Sequence, residues 1–188
     1  MSQITAAITA VGSYLPEHVL TNAMLEEMVD TNDEWITSRT GIKERRILKD
    51  PNLGTSYLAI KAAESLLQKK KLDPKEIDAV IVATATPDMM VASTAAYVAS
   101  AIGATEAFSF DLQAACSGFL YGMSTAAAYI ASGMYRKVLL IGADKMSSII
   151  DYQDRATCII FGDGAGAVLF EPNQDGVGYQ DAYLRSDG

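Results

Sequence analysis

Residues Ser117 to Ser132 contain no charged side chain, place alanine at 126, 127, 128 and 131, and are followed by Gly133. Glycine there suits the left-handed conformation that ends a helix. A helix with no polar face must be covered on every side, so the spacing predicts the central helix of a layered protein. The apolar strand Phe108–Leu112 leads into it, and Cys116 stands at the join. Unpaired backbone N–H groups and the positive end of the helix dipole favour a thiolate in that first turn. Ala114, Ala115, Ser117 and Gly118 keep bulk away from the sulfur. Position alone leaves two readings open, a nucleophile or a small buried apolar residue, which is the commoner fate of a free cysteine.

The rest of the chain supplies the layers. Ile4–Val11 reads as a strand, Thr21 or Asn22 caps a short helix over Ala23–Val29, and Asp33–Gly41 holds a turn or two of helix between acidic residues and a glycine stop. Ile42–Leu48 is an edge or loop strand. A helix capped by Thr55 or Ser56 sets Leu58, Ala59, Ala62, Ala63, Leu66 and Leu67 at helical spacing. Asp73-Pro74-Lys75-Glu76 is a capping box. Ala79–Ala83 and Val138–Gly142 are uninterrupted apolar runs, as in parallel strands buried on both faces. Between them lies a helix over Thr94–Ile102, capped by Ser93 and closed by Gly103. Ala165–Phe170 and Gly176–Arg185 are the last expected strands. Alternating strands and helices imply an α/β fold with a largely parallel sheet covered on both sides. Ligands of such sheets bind beyond the carboxyl ends of the strands, which is where Cys116 falls.

A chain of 188 residues, 49% hydrophobic, is enough for one domain with a sizeable core. Its formal charge of −8 disfavours nucleic acid and anionic membranes as partners. No apolar run has the length of a membrane span or the form of a signal peptide. Two cysteines without metal-ligand spacing point to no metal site and to a reducing compartment, read as cytoplasmic.

Several other features carry two readings each. Trp35 and Arg39, four apart, share a helix face and would present an aromatic plane beside a guanidinium; on their own they read more simply as a core anchor and a surface charge. Lys69-Lys70-Lys71 is a solvated helix end, whereas Lys43, Arg45, Arg46 and Lys49 form a basic cluster that is functional or merely solubilising. Gly162-Asp163-Gly164-Ala165-Gly166-Ala167 loosely fits a dinucleotide fingerprint, but Val168-Leu169-Phe170 continues it as strand, so a close-packed glycine turn is expected instead. His18, the single histidine, reads as a surface residue of an N-terminal loop.

Three motifs together resemble the β-ketoacyl-acyl carrier protein synthase III family, condensing enzymes of the thiolase superfamily. They are Asp33-Glu34-Trp35-Ile36-x-x-Arg39-Thr40-Gly41-Ile42-x-Glu44-Arg45, Ala114-Ala115-Cys116-Ser117-Gly118-Phe119 and Phe161-Gly162-Asp163-Gly164-Ala165-Gly166-Ala167. The resemblance implies a thiolase-like layered fold, of which residues 1–188 are the N-terminal half, with a mostly parallel, mixed five-stranded sheet and a central buried helix. It implies a homodimeric acyltransferase that starts fatty-acid synthesis. Acyl-CoA acylates Cys116, and malonyl-acyl carrier protein then supplies a carbanion by decarboxylation. No cofactor is implied; the CoA thioester is a substrate. Trp35 stacks on the CoA adenine with Arg155 on its other face, and Thr31 and Arg39 bind base or phosphate. Met146 and Phe161 line the acyl pocket, and Val91 reaches the partner's pocket. The family carries a larger residue before a proline where this chain has Val91-Ala92, and a smaller wall admits longer or branched primers.

The family's catalytic histidine and asparagine, and one oxyanion-hole N–H, belong to a second half. Residues 1–188 alone are therefore expected to hold a nucleophile without a base and to form no condensation product. Three other functions are kept beside this one. They are transfer of the acyl group to an oxygen or nitrogen nucleophile, a thiol redox pair of Cys116 and Cys158, and a catalytically silent interaction subunit.

Overall fold

The computed structural model describes residues 4–187. Its centre is β4 (Ala79–Ala83), buried at every position. Side chains alternate across a strand, so Val80 and Val82 enter one apolar cluster while Ala79 and Ile81 enter another on the opposite face. Parallel neighbours flank it: β5 (Phe108–Leu112), with Ala79 opposite Phe108, and β6 (Val138–Lys145), with Ala79 opposite Val138. Antiparallel β7 (Asp163–Asn173) and β1 (Thr5–Tyr14) complete a mixed five-stranded sheet of order β1-β7-β6-β4-β5.

On one face lie α3 (Thr55–Lys70) and α4 (Thr94–Ile102), whose Leu58, Leu66, Ala95 and Val98 meet the sheet. Gly12 of β1 lets the sheet and α3 touch backbone to backbone, since a β-carbon there would collide with the Ala62 carbonyl and the Leu66 amide. On the other face lies α5 (Gly118–Ala131), which buries Gly118, Gly122, Ala126, Ala127 and Ile130. A β-carbon at Gly122 would lie 2.5 Å from Leu140, so glycine brings this helix close to β6. The opposite face of α5, with Leu120, Ala128 and Ala131, is exposed. The described residues thus cover α5 on one side, although its composition suits cover on all sides.

A smaller layer is built from β2 (His18–Thr21) and β3 (Glu44–Ile47), paired antiparallel, with α1 (Asn22–Glu26) and α2 (Asp33–Thr40). Leu20, Leu25, Ile36, Cys158 and Ile159 form its core, and Trp35 packs against it. Arg45 is buried there and donates to the Ile159 carbonyl at 2.9 Å and to Asn22. Burial holds its guanidinium below its ordinary pKa. Among the basic residues of that cluster, Arg45 is therefore a structural strut.

Two local expectations change. His18 belongs to strand β2, opposite Ile47, and not to a loop. Gly176–Arg185 is not a strand, because Gly176 and Gly178 take positive φ of 75° and 135° and break the extended run. Among the described residues no helix is long and apolar enough to cross a membrane.

Candidate active site

Cys116 is exposed, in a 3-10 turn over Ala115–Ser117 that runs into α5. It therefore precedes the helix proper, and does not sit in its first α-helical turn. Ala115 has φ of 45°, a left-handed conformation that costs a non-glycine residue roughly 1–3 kcal/mol. Hydrogen bonds from the Ser117 amide to the Ala114 carbonyl at 3.0 Å and from the Gly118 amide to the Ala115 carbonyl hold it. The sulfur opens on a cleft of about 280 Å³ lined by Ala83, Phe119, Gly142, Asp144, Met146 and Gly162 among others. Ala83 ends β4 and Gly142 lies near the end of β6, so the cleft lies at the carboxyl edge of the parallel strands.

Helix ends set the electrostatics of this edge. Asn32 caps α2, Ser93 and Asp111 receive the first N–H groups of α4, and Asp88 accepts from the Ser56 amide of α3 at 3.2 Å. By contrast, α5 has no side-chain cap at Ser117. Its dipole therefore leaves a positive pole beside Cys116, a place that favours an anion.

One wall of the cleft is strongly cross-linked. Oδ1 of Asp144 accepts from the Thr84 hydroxyl at 3.0 Å and from the Ala85 and Thr86 amides at 2.8 and 3.1 Å. Asp163, 4% exposed, accepts from the Ser147 amide and hydroxyl at 2.8 and 2.6 Å and from the Leu48 amide at 2.8 Å. Through Leu48 it joins the cleft to the β2–β3 layer. Neither aspartate is an expected site residue; Asp163 stands in the glycine-rich motif, whereas Asp144 has no motif to mark it.

A second cluster of expected residues lies in the smaller layer. The Arg39 guanidinium carbon is 4.4 Å from the centroid of the Trp35 ring, and that of Arg155 is 5.3 Å from it. Arg155 also pairs with the exposed Asp30 at 3.0 Å. Thr31, four residues before Trp35, is half-buried, and its hydroxyl oxygen is buried without a hydrogen-bond partner among the described residues. The structure therefore unites Trp35, Arg39 and Arg155, and it unites Cys116 with Met146. Phe161 does not line the cleft, although its neighbour Gly162 does. Val91 lies outside it, 98% exposed beside the fully exposed Met90.

The glycine-rich stretch is β7, and no helix follows it, so the dinucleotide geometry is absent. Gly162 packs its backbone on Arg45 and Arg46 instead. Cys158 is fully buried in the smaller layer, and burial pushes its thiol pKa up. That disfavours it as a redox partner for Cys116.

With this geometry in hand, the comparisons point to one family. The family model described as 3-oxoacyl-[acyl-carrier-protein (ACP)] synthase III matches residues 110–188, which carry the Cys116 turn, α5, β6 and β7. A protein of Phocaeicola vulgatus named beta-ketoacyl-[acyl-carrier-protein] synthase III is 57% identical over all 188 residues. The chain is similar to the members of this family. A family member of Chlorobaculum tepidum is also 57% identical, over 97% of the chain. The crystal structure of the synthase III of Aquifex aeolicus superposes with a TM-score of 0.87 at 48% identity, covering 90% of this chain and 55% of that one. The chain spans 56% of the Phocaeicola protein, so it corresponds to about half the length of the curated relatives it matches. The thiolase-like α/β fold expected from the motifs is the fold of these synthase III structures.

Proposed function

We propose that this chain carries the acyl-accepting cysteine and the nucleotide platform of an acyltransferase that starts fatty-acid synthesis. The observation that carries the reading is the position of Cys116, exposed on a cleft at the carboxyl edge of β4 and β6 and beside the uncapped start of α5. In the first step the Cys116 thiolate attacks the thioester carbonyl of acyl-CoA. The carbon–sulfur bond to CoA breaks, CoA leaves as its thiolate and takes a proton from water, and the acyl group remains on Cys116. In the second step malonyl-acyl carrier protein loses carbon dioxide. The resulting enolate attacks the acyl carbonyl, giving 3-oxoacyl-carrier protein and freeing the thiolate. The positive pole at α5 stabilises the oxyanion of each tetrahedral intermediate. The family's histidine and asparagine, which assist decarboxylation, have no counterpart among the residues of this cleft.

Trp35 and its two arginines form the platform for the CoA adenine, with Thr31 offering a hydroxyl. Met146 bounds the acyl group. Cytoplasmic residence is supported by two unpaired cysteines. The reading is tested by intact-mass measurement after incubation with acyl-CoA, which should show one acyl adduct per chain.

A homodimer is the assembly that suits the surface. Among the described residues the outer edge of β5 is unpaired, and its Phe108 is exposed. Met90 and Val91 project into solvent without cover, as residues that enter a partner's pocket would. Val91→Phe should then restrict primer length, lowering octanoyl-CoA turnover by about tenfold or more relative to acetyl-CoA. Sedimentation equilibrium should show a dimer; a monomer would remove the partner's pocket, and an unchanged octanoyl-to-acetyl ratio would remove the role of Val91.

A further inference from the structure

Where β6 ends, the chain runs Asp144-Lys145-Met146-Ser147, and three of these four side chains are fastened by hydrogen bonds. Asp144 holds the Thr84–Thr86 turn. The Lys145 amide donates to the Thr55 and Thr86 hydroxyls at 3.1 and 3.0 Å, and its Nζ donates to the Asp50 and Leu53 carbonyls at 2.9 and 2.6 Å. Ser147 is held twice by Asp163. Met146 is the exception, and it lines the Cys116 cleft.

Asp163 is the unusual member of this set. A buried carboxylate is costly unless it is well hydrogen-bonded, and the partners of this one are three neutral donors from two distant segments. It lies opposite Lys145 in the β6–β7 ladder, so its side chain spans from the strand to the turn that follows Met146. The backbone on both sides of Met146 is thereby fixed, at the Lys145 amide and at the Ser147 amide. A wall held in this way cannot retreat to admit a longer acyl chain.

We infer that Asp163 is a positioning residue that fixes Met146 as a wall of the acyl cleft, so that this buried carboxylate helps set the primer length. The inference rests on the proposed acyl transfer to Cys116 in the same cleft. An asparagine at 163 keeps the shape but replaces one acceptor oxygen with an NH2 group, which opposes the Ser147 or Leu48 donors. The strain falls on the turn that carries Met146.

The test compares Cys116 acylation by acetyl-CoA and octanoyl-CoA in the full-length protein, followed by intact mass, for wild type, Asp163→Asn, Met146→Ala and the double variant. The octanoyl-to-acetyl rate ratio should rise about tenfold in Asp163→Asn, the scale of losing one charge-assisted hydrogen bond. In the double variant it should match Met146→Ala alone, because residues acting through one wall are not additive. Hydrogen exchange at the Ser147 and Leu48 amides should accelerate in Asp163→Asn. An unchanged ratio in a folded Asp163→Asn protein, or effects that multiply in the double variant, overturns the inference. If Asp163→Asn does not fold, Ser147→Ala removes only the hydroxyl bond and must shift the ratio the same way; no shift overturns the inference. A wild-type protein that takes up neither acyl group refutes acyl transfer itself, and the inference falls with it.

Discussion

Cys116→Ser in the full-length protein is expected to lower covalent acylation by acyl-CoA by on the order of 10³-fold or more. The substitution barely changes volume, so the cleft walls at Ala83, Phe119 and Met146 stay in place and the loss reports chemistry. A cysteine sulfur is intrinsically the stronger nucleophile at neutral pH, whereas a serine hydroxyl stays protonated there and needs a base to take its proton. Among the residues lining the cleft there is no histidine, and the one carboxylate, Asp144, has Oδ1 engaged by Thr84, Ala85 and Thr86. His18 lies on β2 opposite Ile47, outside the cleft. The measurement is retention of labelled acyl group on the polypeptide after denaturation. Retention at the wild-type rate would refute the assignment. Cys158→Ser separates acyl transfer from a redox pair: acyl transfer predicts no change, because Cys158 is buried in the smaller layer, while a disulfide switch needs both sulfurs.

The same contrast between local and long-range signals explains what could be read from the chain. Ser93 and Gly103 bound α4, and Gly133 follows α5 with φ of 75°, as punctuation and apolar runs predicted. These signals act within a few residues, so one segment is enough to decode them. The start of α3 was less legible: Gly54 is its N-cap, and the acceptor for its Ser56 amide is Asp88, over thirty residues away. The clamps at Asp144 and Asp163 are of the same kind, since a carboxylate that serves distant amides has no sequence period. Gly176–Arg185 failed for another reason. Its apolar residues resemble a strand, but β7 already pairs with β1 and β6, and the chain beyond makes one ladder-like bond, from the Tyr179 amide to the Ala6 carbonyl at 2.8 Å. Trp35 is both things that its position suggested. It packs on the small-layer core and also carries Arg39 on its ring, so anchoring the core does not keep the ring from facing a guanidinium.

That double role makes Trp35→Ala the other substitution with a large expected effect. Stacking of a base on an aromatic ring is worth ~1–3 kcal/mol, so KM for acyl-CoA should rise about 5- to 150-fold. The adenine is remote from the reacting carbonyl, and loss of remote binding shared by ground and transition states leaves kcat largely unchanged. Arg155, 5.3 Å from the ring centroid, leaves no layer for a base between guanidinium and indole, so adenine enters only as Arg155 moves outward. Its pairing with the exposed Asp30 resists that movement weakly, because a solvated ion pair contributes little. A purely structural Trp35 predicts a different pattern: a lower Tm, with KM unchanged in the folded fraction. Acyl-pantetheine, which has the thioester but no adenine, distinguishes the two. Wild type and Trp35→Ala should use it equally well if the ring serves the nucleotide. Equal losses with acyl-CoA and acyl-pantetheine would remove Trp35 from the CoA site and leave it as an anchor of the smaller layer.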